Sequence, residues 1–90
     1  MLIESIELSD HVADKIEFKH GVKISEVWEI FFGDMPPQIV RSERGRGTYV
    51  AFGQTDAGRY LAVFFVPQSG VARVLSARDM DDSERRRYHR

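Results

Sequence analysis

The spacing of apolar residues changes once along this 90-residue chain. Between residues 9 and 33 apolar side chains recur every three or four positions, which predicts two amphipathic helices. The second helix carries such a stripe, which we expect to lie in the core: Ile24, Val27, Trp28 and Phe31. From residue 38 onward apolar and polar residues tend to alternate, which is typical of strands. The pattern therefore predicts helices followed by a sheet.

Residues with strong end preferences bound the two helices. Ser9 is a favourable N-cap for the first, and Gly21 can adopt the left-handed conformation that ends it. Ser25 and Gly33 bracket the second, and the prolines in "DMPPQ" prevent it from continuing. Before the first helix, "MLIESIEL" (1–8) is an imperfect strand.

Four further strands are predicted at 38–42, 48–54, 59–67 and 71–77. The gaps between them are short and rich in turn residues, which favours antiparallel hairpins. Residues 60–66 are apolar on both faces, so this strand should be central. A last helix begins near Asp81, which forms a capping box with Glu84. The expected fold is α+β, with the order β-α-α-β-β-β-β-α: an antiparallel meander packed by two N-terminal helices, plus a short C-terminal helix.

Size and composition favour one soluble domain over residues 1–90. The chain has no Cys, so disulfides, thiolate metal sites and a cysteine nucleophile are excluded. The longest apolar run, "YLAVFFV", is far shorter than the roughly 20 residues of a membrane span. No signal peptide opens the sequence. We therefore expect a cytoplasmic protein without a membrane partner.

The net charge of −1 conceals a division of charge along the chain. Residues 1–37 contain eight acids and three lysines, a balance of −5, whereas residues 38–90 contain ten arginines and six acids, a balance of +4. This division suggests two faces with different partners, although the halves could also neutralise each other. The guanidinium group is well suited to bidentate phosphate contacts.

Three arginines near the predicted strands are candidates for an anion site. Alternation places Arg73 on one face with Val71, Leu75 and Ala77. There it could form a structural ion pair, pack its aliphatic stem on the sheet with the guanidinium in water, or bind an anion. Arg59 precedes one strand and Arg78 follows another. Alternation does not decide whether they meet, because Arg73 and Arg78 are an odd number apart and the strand is expected to end between them.

Other candidates lie at helix ends. His20 closes the first helix, where it either complements the helix dipole or acts as a general acid or base. The final helix is polar, and its candidate RNA-binding residues are Arg85, Arg86, Arg87 and Tyr88. No phosphate-binding glycine loop, metal-ligand spacing or serine-nucleophile motif is present in the sequence.

Four segments together resemble the BrnT family of type II toxins: "KHGV" (19–22), "EVWEIFF" (26–32), "RYLAVFF" (59–65) and "RVLSARDMDDSERRRYHR" (73–90). The resemblance implies a RelE-like fold and an endoribonuclease that cleaves RNA without a metal ion or cofactor and so inhibits translation. It also implies a cognate antitoxin, a DNA-binding BrnA-like protein, with which the chain could form an oligomer.

The resemblance also implies roles for individual residues. Arg73 and Arg78 match arginines that would bind the scissile phosphate, Arg59 would assist them, and His20 is the acid–base candidate. Glu84 and Tyr88 match the motif of the terminal helix. The alternative is a BrnT-like module that binds RNA or a protein without catalysis. The sequence leaves cleavage specificity, dependence on the ribosome and oligomeric state open.

Overall fold

A computed structural model describes residues 1–89 and contains five strands and three helices within them. Along the chain they are β1 (Ser5–Glu7), α1 (Asp10–His20), α2 (Ile24–Phe32), β2 (Gln38–Arg41), β3 (Tyr49–Gln54), β4 (Tyr60–Gln68), β5 (Val71–Asp79) and α3 (Asp82–Tyr88). The α+β class predicted from the sequence is confirmed.

The strands form one mixed sheet in the order β1-β5-β4-β3-β2. Strands β2 to β5 are antiparallel neighbours, but β1 lies parallel to β5 at the edge. The purely antiparallel meander was therefore wrong, because the first strand pairs with the last one and not with its neighbour in sequence. The central position of β4, predicted from its two apolar faces, is confirmed.

Strand β5 is longer than the sequence indicated and contains a bulge. It continues through Asp79, so Arg78 lies within the strand and not beyond it. Phe64 on β4 pairs with Ser76, while Phe65 pairs with Val74, which leaves Leu75 as an extra residue without a partner. A bulge of this kind shifts the alternation by one position.

The sheet separates two apolar clusters. Helices α1 and α2 cover the first face, where Ile16, Val27, Ile30 and Phe65 are almost completely buried. We call the other side the open face. Its cluster is smaller, and Tyr60 and Tyr88 pack against it; the buried members are Val50, Phe52, Ala62, Phe64 and Met80.

The orientation of α2 corrects the expected core stripe. Val27 and Ile30 are buried, whereas the Trp28 residue is 52% exposed and Ile24 is 51% exposed. Ile30 packs so closely on Gly53 that a Cβ atom at position 53 would lie 3.1 Å from its Cγ2. This close approach centres the buried face on Val27 and Ile30 and leaves Trp28 at the edge of it.

The end residues predicted for α1 and the start predicted for α3 are those found in the structure, whereas the predicted start of α2 is wrong. The Ser9 hydroxyl accepts the Val12 N–H, and Gly21 after α1 has a φ of 63°. The predicted box at α3 forms, since Asp81 accepts the Glu84 N–H and Glu84 accepts the Asp81 N–H. Helix α2 begins before Ser25. Within residues 1–89 no helix has the length and apolar character needed to cross a membrane.

Candidate functional site

The bulge brings Arg73 and Arg78 to the same face of the sheet. Arg73 pairs with Val66 and Arg78 with Ala62, and residues opposite each other in an antiparallel pair share a face. Both arginines therefore belong to the open face, about 13 Å apart along the strand direction. Ala77, which the sequence placed with Arg73, lies on the helix-covered face because the bulge intervenes.

Arg78 is held in a fixed orientation by α3. Its Nη1 and Nη2 donate to the two carboxylate oxygens of Glu84 at 2.7 and 3.0 Å, and Nη1 also donates to the Asp79 carbonyl. These bonds occupy one edge of the guanidinium. The Nε–H and the second Nη2–H have no hydrogen-bond partner within residues 1–89, so the adjacent edge can bind a ligand.

The ion pair also fixes the charge of Glu84. The hydrogen bond from Arg78 is the main reason that the pKa of the Glu84 carboxyl lies below its usual value, and the charge of Arg44 contributes. Glu84 is therefore a carboxylate near neutral pH. A carboxylate whose proton affinity is reduced in this way is better suited to orienting Arg78 than to accepting a proton.

Arg44, in the loop between β2 and β3, approaches the same place. Its guanidinium carbon lies 4.0 Å from the centre of the Phe64 ring, and that of Arg78 lies 5.2 Å from it. Neither Arg44 nor Phe64 was among the candidates that the sequence indicated. The available signal was weak: two arginines spaced by glycines in "RGRG" between strands.

Helix α3 lies over part of the open face. The Tyr88 ring packs edge-on against the Tyr60 ring, with the ring centres 6.0 Å apart. The backbone carbonyl of Tyr88 accepts a hydrogen bond from the Gln38 side chain. Arg85 lies over the Tyr60 ring at 4.5 Å. Arg86 and Arg87 are exposed. Of the four predicted RNA-binding residues, Tyr88 and Arg85 thus also hold the helix in place.

Arg73 is exposed and lies at the edge of the open face. Its Nε is 3.6 Å from a carboxylate oxygen of Glu7, and both side chains are more than 60% exposed. Such a pair contributes little to stability. An open depression of about 340 Å³ adjoins it, lined also by Gln68, Ser69 and Val71. Because Arg73 is in solvent, its guanidinium group is accessible to an anion.

Arg59 does not join the other two arginines. It extends towards the helices and donates from all five N–H positions, to the carbonyls of His20 and Gly21 and to the carboxylates of Glu26 and Asp79. This set of contacts, here called the Arg59 clamp, joins the end of α1, the start of α2 and the end of β5. No donor remains for a phosphate unless the clamp opens.

His20 lies near the clamp and away from Arg73. The pKa of Asp79 is lowered mainly by the hydrogen bond from Arg59, with smaller effects from the charges of Arg59 and His20. The histidine therefore lies on the helix-covered side of the sheet, where Asp79 pairs with Leu61, whereas Arg78 lies on the open face. Among residues 1–89 there is no group of three His, Cys, Asp or Glu side chains that could hold a metal ion.

The site as a whole combines an oriented guanidinium, a second guanidinium on an aromatic ring and further exposed arginines. This combination suits a polyanion such as a nucleic acid, since guanidinium groups bind phosphate oxygens. The family model for the ribonuclease toxin BrnT of type II toxin–antitoxin systems matches residues 10–84. The chain belongs to this family.

A solved structure agrees with this assignment. The crystal structure of the Brucella abortus ribonuclease toxin BrnT matches with a TM-score of 0.70 and 20% sequence identity, and the alignment covers 87% of this chain and 97% of that one. At this identity the likeness shows the shared BrnT fold. A comparison with curated proteins finds no match. Membership of a type II toxin–antitoxin family implies an antitoxin protein as partner and RNA as substrate.

Proposed function

We propose that this BrnT-family protein is an endoribonuclease toxin that cuts RNA without a metal ion, by a RelE-like route, and thereby inhibits translation. The observation that carries the proposal is the free edge of Arg78. The two bonds to Glu84 hold the guanidinium in place and leave two parallel N–H donors for the oxygens of one phosphate.

The proposed reaction is a transesterification within the RNA. The 2′-oxygen attacks the adjacent phosphorus and loses its proton to a base, and the bond from phosphorus to the 5′-oxygen breaks as that oxygen gains a proton. The products are a 2′,3′-cyclic phosphate and a 5′-hydroxyl. Arg78 stabilises the negative charge that develops on the non-bridging oxygens. Arg73, about 13 Å away along β5, binds another phosphate of the same RNA.

Two further residues act at the β5 end of the site. His20 is the proposed acid–base group, because imidazole is a common proton-transfer group near neutral pH and Arg59 binds the His20 carbonyl at the end of β5. Since Arg78 lies on the other face, the RNA would have to reach His20 around the end of this strand. Arg59 assists by positioning: it binds the Asp79 carboxylate, and the Asp79 carbonyl accepts a hydrogen bond from Arg78. The exposed Arg86 and Arg87 attract the RNA backbone from solution.

The decisive test is cleavage of RNA by the purified protein in excess EDTA. Arg78→Ala should lower the rate about 100-fold or more, because a donor to the developing charge is lost. Arg73→Ala should weaken substrate binding more than it slows chemistry. Arg41→Ala, on the helix-covered side of β2, is the matched control and should cleave normally. Circular dichroism checks that each variant is folded.

The outcomes separate the two hypotheses that the sequence left open. Cleavage in EDTA that depends on Arg78 supports the toxin. If the wild-type protein binds RNA but leaves it intact, the chain is an RNA-binding module, and if it neither binds nor cuts RNA, the interaction module remains. Expression should also slow translation in cells, measured by incorporation of labelled amino acids, and Arg78→Ala should relieve this effect.

We also propose that the antitoxin binds the surface around Trp28 and Met35, which belong to the acidic part of the sequence. Residues 1–37 carry most of the acids, and Trp28 and Met35 expose apolar surface there. Asp34 and Asp56 lie beside Met35 around an open depression. A basic, partly apolar surface of a DNA-binding antitoxin complements this region. Trp28→Ala should weaken co-purification of the co-expressed antitoxin, and an undiminished complex would exclude this surface.

A further inference from the structure

We propose that Arg44 is a second phosphate-binding residue of the site, and that it and Arg78 hold one phosphate of single-stranded RNA beside the Phe64 ring. The inference rests on the proposed function and deepens it. It assigns a role to the loop between β2 and β3, which the resemblance to known toxins left without one.

The Phe64 ring provides a rigid support for both guanidinium groups. The Phe64 residue is 5% exposed and lies at the centre of the sheet, where it pairs with Val50 on β3 and Ser76 on β5. A cation over an aromatic face is attracted by the ring, and the attraction increases where water is excluded. Arg44 is therefore positioned over the open face although it belongs to a surface loop.

The loop itself limits the movement of Arg44. The Ser42 N–H donates to the Thr48 carbonyl and the Thr48 N–H donates to the Gly45 carbonyl. The backbone N–H of Arg44 donates to the Ser42 hydroxyl at 3.1 Å. These three bonds close the loop across its base, so the side chain of Arg44 starts from a fixed backbone.

The donors of Arg44 are available to a ligand. Its guanidinium makes no hydrogen bond and no ion pair within 4.0 Å in the part of the chain that the structure describes, residues 1–89. By contrast, Arg78 is neutralised by Glu84 at 2.7 Å. The side chains of Arg44, Arg78 and Glu84 together carry one net positive charge. This charge matches the single negative charge of a phosphodiester.

The same loop offers a matched control. Arg46 is also exposed, carries the same charge and lies two residues further along. No stacking of Arg46 on an aromatic ring is found within residues 1–89. A general effect of positive charge would make Arg44 and Arg46 equivalent, whereas a built site requires Arg44 alone.

The experiment measures binding of a fluorescent, single-stranded 2′-O-methyl RNA, which lacks the attacking hydroxyl, by anisotropy over a range of salt concentrations. Arg44→Ala should raise the Kd about tenfold. It should also reduce the slope of log K against log salt by about 0.7, the value for one lost contact to single-stranded RNA. Arg44→Lys should restore the slope but not the full affinity, since lysine lacks the planar fork.

The results distinguish this inference from the proposed function. If Arg46→Ala changes the Kd and the salt slope as much as Arg44→Ala does, the role of Arg44 is refuted even when the wild-type protein cleaves RNA. If the wild-type protein neither binds nor cleaves RNA, the proposed function is refuted, and the inference about Arg44 is refuted with it. Cleavage kinetics should agree with binding: Arg44→Ala should raise the KM for RNA more than it lowers kcat.

Discussion

At the scale of single residues, the number of occupied donors distinguishes the arginines of this protein. Arg59 uses all five N–H groups inside the fold, Arg78 uses three, and Arg44 donates none from its side chain to residues 1–89. An arginine with no free donor can support a structure but cannot bind a phosphate. The composition of the chain gives no indication of this difference, which arises from tertiary contacts.

Loss of the Arg59 clamp should destabilise the protein. Arg59→Ala leaves the carbonyls of His20 and Gly21 and two carboxylates without their donor, so we expect the free energy of unfolding to fall by about 2 kcal/mol. Urea denaturation followed by tryptophan fluorescence measures it. Arg46→Ala, an exposed control, should change stability by about 0.5 kcal/mol at most. Equal stabilities of the two variants would show that the clamp contributes nothing.

At the scale of secondary-structure elements, the bulge in β5 determines which side chains reach the open face. Leu75 is the inserted residue, and the alternation of β5 changes there. Without it, Ser76 and Arg78 would turn towards the helices and Ala77 towards solvent. The position of Arg78 beside Glu84 therefore depends on one additional residue in the strand.

Deletion of Leu75 should be far more damaging than its substitution. The deletion would place the Arg78 charge in the helix-covered core, where an unpaired guanidinium costs several kcal/mol, so we expect the protein not to fold. Leu75→Ser should remain folded, because the Leu75 residue is already 40% exposed. Circular dichroism and gel filtration compare the two. A folded, compact deletion variant would contradict the role assigned to the bulge.

The sequence predicted those elements whose residues determine local conformation. Ser9 and Gly21 bound α1, and Asp81 with Glu84 begins α3, because caps act within a few residues. Features set by distant contacts were not predictable in this way. The parallel pairing of β1, the bulge at Leu75 and the exposure of Trp28 all depend on how complete elements pack.

The candidate site was predictable to a similar extent. The resemblance selected Arg73 and Arg78, and the structure places both on one face. The five contacts of Arg59 involve residues 20 to 39 positions away, and Arg44 reaches Phe64 from another loop. The spacing of residues along a single sequence does not indicate contacts between such distant positions.

At the scale of the whole molecule, two ion pairs at the end of β5 should make stability dependent on pH. Hydrogen bonds from Arg78 and Arg59 lower the pKa of Glu84 and of Asp79 below their usual values. Carboxyls with a lowered pKa in the folded state stabilise it above their unfolded pKa. This contribution is lost as the pH falls below about 4.5, the usual value for Glu, and through the lowered folded values.

Urea denaturation at pH 7, 5 and 3 should therefore show a small change between the first two values and a large decrease at pH 3. Glu84→Gln should reduce the decrease, because one of the two carboxyls no longer titrates. Arg78 should remain charged throughout. A wild-type protein that is as stable at pH 3 as at pH 7 would show that these pairs do not contribute to folding.

The Arg59 clamp also has a consequence for the time course of folding. It joins segments that are far apart in sequence, so we expect it to form after the sheet and both helices have assembled. Contacts that form after the folding barrier slow unfolding and have little effect on the rate of folding. The clamp should therefore mainly lower the rate of unfolding, which lengthens the lifetime of the native protein.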